Sequence, residues 1–315
     1  MEILKGKGPF PPRAVKPLLA VGNFDGVHLG HQRVFEETVS RASVTALSPA
    51  ILTFSGHPLK TLRPVEAPMP VMTPEDRLRI ARMFGFETAY VLDFDPSLAS
   101  MSPEHFLREV LLEVIGAGGL VAGAGWRFGK GRKGSMELLG RLGREAGFTV
   151  VSVDPVLAGG MAVSSTRIRD LISAGDVAGA ADLLGRPHFV RGVVFRGRGL
   201  GKGLGFPTVN LDIGRVLIPG DGIYTGAYFC GERVGPAALS IGKSPTFPEG
   251  AANVEAHFVG WEGDLYGETV TIMFFRRLRS QRAFPDQVSL VRQIDMDVKE
   301  TARSFDPGAV KGVPR

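Results

Sequence analysis

Five apolar runs, "LLAVGNF", "AILTFS", "TAYVLDF", "GLVAG" and "FTVVSVD", alternate with helical stretches through the first half of the chain. This alternation constrains the fold more than any other feature. Runs that are apolar on both faces suit buried parallel strands, and the helices between them supply the crossovers. "TPEDRLRIARMFG" marks its own boundaries, with Thr73 as N-cap, Pro74 at the first helical position and Gly85 past the end. "SPEHFLREVLLEVIG" repeats the Ser-Pro start and the Gly stop. Residues 1–184 therefore read as an open α/β domain with a mostly parallel sheet.

The second half changes pattern. "RGVVF", "GIYTGAYFC", "AALSIG", "VEAHFVGW" and "ETVTIMFF" follow one another with turns and no helices between them. Short strands in that arrangement predict an antiparallel barrel or sandwich. The tail from Pro285 to Phe305 reads as a helix, with Val288, Val291, Ile294, Val298 and Ala302 at three-to-four spacing. The joint is placed near "LLGRPHFVRG", where a helical stretch ends on Gly185 and Pro187 follows. The second domain is thus expected over 185–315.

Composition narrows the partners. Hydrophobic residues make up 44% of the 315, enough for a core, and charged residues 22%. The net charge of +5 suits phosphorylated ligands, but no block of like charges points to nucleic acid. A single cysteine, Cys230, excludes intramolecular disulfides and Cys-rich zinc sites, and fits a reducing, cytoplasmic setting. The start "MEILKGKGPFPP" lacks the apolar core of a signal peptide, and no stretch approaches the ~20 apolar residues of a membrane span.

Residues 21–31, "VGNFDGVHLGH", end the first of the apolar runs and open a helix expected over Gln32–Ala42, with Val34, Phe35, Thr38 and Val39 on one face. His28 and His31 supply at most two metal ligands, where zinc takes three or four. Two loop histidines with no shared task are one alternative. A phosphate site is the other. Helix N-terminal amides favour an anion, and Gly22, Gly26 and Gly30 let backbone approach it closely. Ligands of such sheets bind outside the carboxyl ends of the strands, where this motif and "GAGWRFGKGRKGS" both fall. In the second half, "GRGLGKGLGFPTVN" (197–210) fits neither the P-loop spacing nor the dinucleotide fingerprint.

Two resemblances carry the reading further. "GNFDGVHLGH" resembles the His-x-Gly-His motif of the nucleotidylyltransferase superfamily, and "VSSTRIR" (163–169) resembles its Ser/Thr-rich partner. "LGFPTVN" resembles the "LGFPTAN" motif of riboflavin kinases. It is accompanied by "GIYTGAY" (222–228), "SIGKSPTF" (240–247), "NVEAHF" (253–258), "GDLYG" (263–267) and "LRSQRAF" (278–284). Their order is that of the bacterial bifunctional riboflavin kinase/FMN adenylyltransferases, the FAD synthetases.

The resemblance implies a Rossmann-like nucleotidylyltransferase domain followed by a small β-barrel with a C-terminal helix. It implies a kinase that makes FMN from riboflavin and ATP, and an adenylyltransferase that makes FAD from FMN and ATP. Riboflavin, FMN, FAD and ATP would be its only partners, with no nucleic acid and no membrane, on a monomer or weak homo-oligomer. Catalytic roles would fall to Glu255, as base on the ribityl hydroxyl, and to His28 and His31. The adenylyltransferase would hold ATP through Gly22, Asn23, His28, Gly30, His31, Ser164, Ser165, Thr166 and Arg169, and flavin phosphate near Arg127, Phe128 and Gly129. The kinase would bind nucleotide and flavin through Gly201, Lys202, Gly203, Thr208, Asn210 and Arg279, with Mg²⁺ on Thr208 and Asn210. The chain departs from the family pattern at Gly125 and Trp126, where an acidic residue is usual, at Gly56, at Val209 and at Gln281. The Gly125 change leaves retention of the kinase alone as an alternative. A nucleic-acid-binding regulator is another, poorly served by two tryptophans and four tyrosines.

Overall fold

The structure, a computed structural model, describes residues 1–196, 200–242 and 253–314. The chain divides into two compact units, Met1–Ser164 and Ser165–Arg315.

The first unit is built on six parallel strands: β1 (Glu2–Lys5), β2 (Pro17–Val21), β3 (Ser48–Phe54), β4 (Thr88–Leu92), β5 (Gly119–Gly123) and β6 (Thr149–Val153). Their order is β1-β4-β3-β2-β5-β6. The five apolar runs of the sequence are β2 to β6. The edge strand β1 is four residues long and mostly exposed, so its pattern does not announce it. A small hairpin, β7 (Leu157–Ala158) and β8 (Met161–Ala162), follows β6.

Alternation along each strand feeds two layers. Leu19, Val21, Leu52, Tyr90 and Leu120 pack with Phe106, Leu107, Leu111 and Leu139 in one core cluster. Their alternates Leu18, Ala20 and Ile51 are also buried, and α1 (Leu29–Ser43) packs on β2, β3 and β5. Helices α2 (Pro74–Met83), α3 (Pro103–His105, wound on as a π-helix over Phe106–Val114) and α4 (Met136–Ala146) complete the layers. Thr73 caps α2 by accepting from the Asp76 amide, and Ser102 caps α3 by accepting from the His105 amide. The strand order reverses between β2 and β5. Their carboxyl ends therefore border the crevice where such sheets take ligands.

The second unit begins with α5 (Ser165–Ala174) and α6 (Val177–Leu184). Six antiparallel strands follow: β9 (His188–Phe195), β10 (Val209–Asp212), β11 (Gly222–Cys230), β12 (Arg233–Gly242), β13 (Asn253–Phe258) and β14 (Thr269–Arg279). They close into a barrel in the order β10-β13-β12-β11-β14-β9. Val194, Leu211, Tyr224, Leu239, Val254, Ala256, Val270 and Ile272 fill its core. The contacts place α5 and α6 with the barrel, because α6 packs on α5, β9 and β14 and Val177 joins the barrel core. Strand β10 lies within "PTVNLD", a stretch whose glycine-rich approach hides it from a periodicity reading.

The C-terminal helix α7 (Gln287–Ser304) forms where expected, but its buried face differs. Val288 and Ala302 are exposed, while Asp297 and Thr301 are buried. The helix is rolled to bring Asp297 onto Arg279, an ion pair that hydropathy spacing does not register.

One buried group sets an acid limit on this unit. His188 stacks on Phe274 and its Nε2 lies 3.0 Å from the Leu217 carbonyl oxygen, to which it donates. Burial pushes its pKa down to about 4; the Leu217 bond opposes that shift and nearby Arg186 adds to it. The unfolded chain takes up this proton near the ordinary histidine pKa of about 6.5. The unfolded state thus binds more protons between those two values. His188 contributes its full stability above that range, and the contribution is lost as pH falls from about 6.5 toward 4. His188→Phe keeps the ring stack and removes the titration. Its melting temperature should fall less than the wild type's over that pH window. Equal slopes would assign the acid sensitivity to another group.

Candidate active sites

In the first unit, β2 ends at Val21 and the chain turns through residues 22–28 into α1. Three residues of this turn hold positive φ: Phe24 at 50°, Gly26 at 84° and Val27 at 38°. Strain of this kind costs on the order of 1–3 kcal/mol per non-Gly residue and persists only where its surroundings over-determine it. The surroundings here do so. Asp25 Oδ1 accepts from the Val71 amide at 2.9 Å, and Gln32 Nε2 donates to the Val27 carbonyl at 2.8 Å. The Phe24 ring is buried against Phe35.

His28 is the N-cap of α1. Its Nδ1 accepts from the His31 amide at 3.3 Å. In the neutral ring that bond leaves the proton on Nε2. The His28 and His31 rings stack, with centroids 3.6 Å apart and planes 17° apart, and Phe24 meets His31 edge-on. Gly30 makes the stack possible: a Cβ there would lie 3.2 Å from the His28 ring atoms. The same Cβ would lie 3.8 Å from the Val163 carbonyl oxygen, so the chain entering Ser164 runs beside the histidines. Gly22 packs under the Phe24 ring, which a Cβ would meet at 2.9 Å. Asn23 offers its carbonyl oxygen to Arg77 Nη1. Ser165 and Thr166 form the first turn of α5 and Arg169 follows one turn later, in the second unit.

The loop after β5 is ordered by its aromatics. Trp126 and Phe128 stack at 4.6 Å, Phe128 and Gly134 form an isolated bridge, and Gly129 holds φ at 69° against Pro103. Arg127, Lys130, Arg132 and Lys133 stand exposed around it. Arg127 reaches Glu137 at 3.9 Å, a surface pair of little energetic weight. Gly125 is exposed with nothing near its missing Cβ, so an acidic side chain would find room there.

In the second unit one register row carries the site. Asn210 on β10 pairs with Glu255 on β13, Glu255 with Ser240 on β12, Ser240 with Ile223 on β11, and Ile223 with Arg279 on β14. Residues opposite one another in a sheet share a face. Val254, Ala256 and Phe258 point into the barrel core, so this row faces outward. There it borders a cavity of about 580 Å³ whose walls include Thr208, Ser240, Glu255, Arg279 and Gln281. Phe206, Phe284, Leu290, Ile294 and Val298 give it apolar sides. Burial raises the Glu255 pKa above the usual carboxylate range.

Two segments shape the cavity rim. Gly201 begins a tight turn in which the Phe206 amide donates to its carbonyl at 2.9 Å, and a Cβ at Gly201 would strike the Phe206 carbonyl oxygen at 2.3 Å. Gly203 lies in the same turn, and His257 Nδ1 donates to the Pro207 carbonyl at 2.8 Å. The Lys202 side chain and residues 243–247 of "SIGKSPTF" lie outside the described residues. On the far side, Arg279 is gripped by Asp297 at 2.7 Å, and Gln293 links Asp297 to Arg282. Gln281 Nε2 donates to Ser240 Oγ at 3.3 Å. Sequence reasoning missed Asp297, Ser240 and Phe284; for Asp297 the only signal was a need for an acid partner to Arg279.

An open parallel sheet with a histidine-bearing turn at its strand ends, and a barrel whose cavity carries a carboxylate, fit a two-site nucleotide-dependent transferase. Residues 12–167 match the family model for FAD synthetase, and residues 184–305 the one for riboflavin kinase. The bifunctional riboflavin kinase/FMN adenylyltransferase of Bacillus subtilis is 33% identical over 92% of this chain and 93% of its own. That of Escherichia coli K12 is 30% identical over 91% and 92%. A crystal structure described as a macrolide-efflux protein from Streptococcus pneumoniae superposes with a TM-score of 0.88 at 31% identity, covering 97% of this chain and 100% of that one. Among the described residues, no helix is long and apolar enough to cross a membrane. The chain belongs to the bifunctional riboflavin kinase/FMN adenylyltransferase family.

Proposed function

We propose that this chain makes FMN from riboflavin and ATP in its barrel and FAD from FMN and ATP in its α/β unit. The observation that carries the kinase reading is the register row that places Glu255 beside Asn210 and Ser240 on an apolar cavity. An isoalloxazine is flat, with an apolar dimethylbenzene edge and a polar pyrimidine edge, and its ribityl chain ends in a hydroxyl. Glu255 takes the proton from that hydroxyl as the oxygen bonds to the γ-phosphorus and the bond to ADP breaks. Burial makes the carboxylate a stronger base than an exposed one.

Thr208, on the cavity wall, and buried Asn210 offer neutral oxygens beside the Glu255 carboxylate. That oxygen-only donor set fits Mg²⁺, which keeps several waters and shares substrate phosphates. Bound there, the ion would neutralise charge on the transferring phosphoryl group.

The α/β unit needs no base. The FMN phosphate is largely dianionic near neutral pH, since its second pKa is about 6. Its oxygen attacks the α-phosphorus of ATP, and pyrophosphate leaves. His28 Nε2–H, His31 and the α1 amides stabilise the charge that develops. By the motif resemblance, Ser164, Ser165, Thr166 and Arg169 are assigned to ATP binding, and the loop at Arg127, Phe128 and Gly129 to the flavin phosphate. The kinase portion is taken to start at residue 185, beside the start of the family match at 184, although residues 165–184 pack with the barrel. The chain acts in the cytoplasm, as a monomer or weak homo-oligomer, on these small molecules alone.

Incubation with riboflavin, ATP and Mg²⁺, followed by chromatography of the flavins, tests the proposal. FMN and then FAD should accumulate. FMN without FAD would reduce the chain to its kinase, and no flavin turnover would reject both activities.

A further inference from the structure

Below the histidine turn lies a buried cation that the reaction scheme leaves unassigned. Arg77 sits on α2 with 4% of its surface exposed. Its Nη1 donates to the Asn23 carbonyl oxygen, to Thr53 Oγ1 at 2.9 Å and to the Phe54 carbonyl at 3.4 Å. Asn23 Oδ1 lies 3.5 Å from the same nitrogen. Burial dominates and disfavours the ionised form, while the charges of Asp25 and Glu75 oppose that shift. None of the salt bridges among the described residues includes Arg77. A buried guanidinium that serves carbonyls and a hydroxyl is costly, and substitution by an apolar residue of similar size would be the stabilising choice on packing grounds alone.

The geometry points to a use for that cost: we propose that Arg77 is a positioning residue for adenylyl transfer. Asn23 is the last residue before Phe24–Val27, three of whose four residues hold positive φ, and Val27 leads directly into His28. Arg77 pins the entry of this stretch from beneath, by a charge-assisted bond to Asn23. Asp25 and Gln32 hold its middle and exit. Thr53 and Phe54 close β3, so the same nitrogen ties the turn to a neighbouring strand end. The turn must keep three backbone positions out of their relaxed regions and still aim the His28 ring to within fractions of an ångström. A charged bond of this sort is stronger than a neutral one and resists that relaxation. Arg77 lies under the turn and touches no substrate; it acts through Asn23 and the His28–His31 pair.

The inference rests on the adenylyltransferase reading. It is tested on the full chain with both reactions assayed separately, FMN formation from riboflavin and FAD formation from supplied FMN. The hydrogen bonds of the guanidinium run through one nitrogen, Nη1, so a lysine ammonium can take over its role. Arg77→Met should lower kcat for FAD formation by roughly 10²-fold, the effect of misplacing reacting groups by about an ångström. KM for ATP should change far less, and FMN formation should be unchanged. Arg77→Lys should recover most of the lost kcat. Hydrogen exchange at the 22–28 amides should speed up in Arg77→Met and return toward wild type in Arg77→Lys. A wild-type kcat in Arg77→Met, or an Arg77→Lys variant as slow as Arg77→Met with the fold intact, would overturn the positioning role. If Arg77→Met fails to fold, Arg77→Lys alone decides, since a properly melting but slow lysine variant also overturns it. A wild-type chain that makes no FAD would instead remove the reading beneath the inference.

Discussion

Glu255→Gln is expected to abolish FMN formation while leaving FAD formation from supplied FMN intact. The substitution keeps the size and most hydrogen-bonding capacity of the side chain, so the register row Asn210–Glu255–Ser240 and the cavity beside it survive. What is lost is the ability to take a proton. An alcohol nucleophile depends on that step, and a positioned base contributes roughly 10²–10⁴-fold. The size of the loss should lie in that range, in kcat more than in KM for riboflavin. A pH signature accompanies it. Burial raises the Glu255 pKa, so the wild-type kinase rate should fall on its acid side as Glu255 becomes protonated, at a pH above the usual carboxylate range. The glutamine variant has no carboxyl to titrate, and its residual rate should lack that limb. A variant that keeps most of the wild-type FMN-forming rate would remove Glu255 from the chemistry.

The two-unit architecture is readable from the sequence because it rests on period and punctuation. Strands β2 to β5 are runs buried on both faces, edge strand β6 alternates, and proline and glycine mark the ends of the helices between them. β1 escapes because an exposed four-residue edge strand has no apolar face to display. β10 escapes because its neighbours are glycines, and its pairing with β9 and β13 is a long-range fact. The roll of α7 escapes for a different reason. Spacing assigns apolar residues inward, yet here a carboxylate, Asp297, takes a buried position to meet Arg279.

The sites divide along the same line. Local motifs reveal what lies on one stretch of chain, such as His28, Gly30 and His31. They do not reveal what another stretch sends underneath. Arg77 lies 54 residues from Asn23 in sequence, and nothing around "PEDRLRIARM" separates it from the solvated arginines beside it. Glu255 is nameable only through the family motif. The choice between a solvated strand carboxylate and a site carboxylate requires the cavity lined by β11, β12, β13, β14, α7 and the segments before β10 and after β14.

The histidine pair yields the second large effect. His28→Ala should reduce FAD formation by roughly 10²–10³-fold, the loss typical of removing one preorganised donor to a developing oxyanion, and should leave FMN formation unchanged. His28 has two functions, however, and alanine removes both. Its Nδ1 caps α1 by accepting from the His31 amide, and its Nε2–H is the group proposed to donate to phosphate. Losing the cap costs about 1 kcal/mol in stability. His28→Asn separates the two, since an asparagine oxygen is among the best N-caps but cannot reproduce the stacked imidazole or its Nε2 donor. The alanine variant should therefore melt earlier than the asparagine variant, while both lose FAD formation to a similar extent. Gly30 supplies an independent check. Gly30→Val crowds the His28 ring from the helix side, where even a Cβ approaches to 3.2 Å, and should slow FAD formation with both histidines still present. Wild-type FAD formation in His28→Asn would reduce His28 to a helix cap, and the burden of charge stabilisation would pass to His31 and the α1 amides.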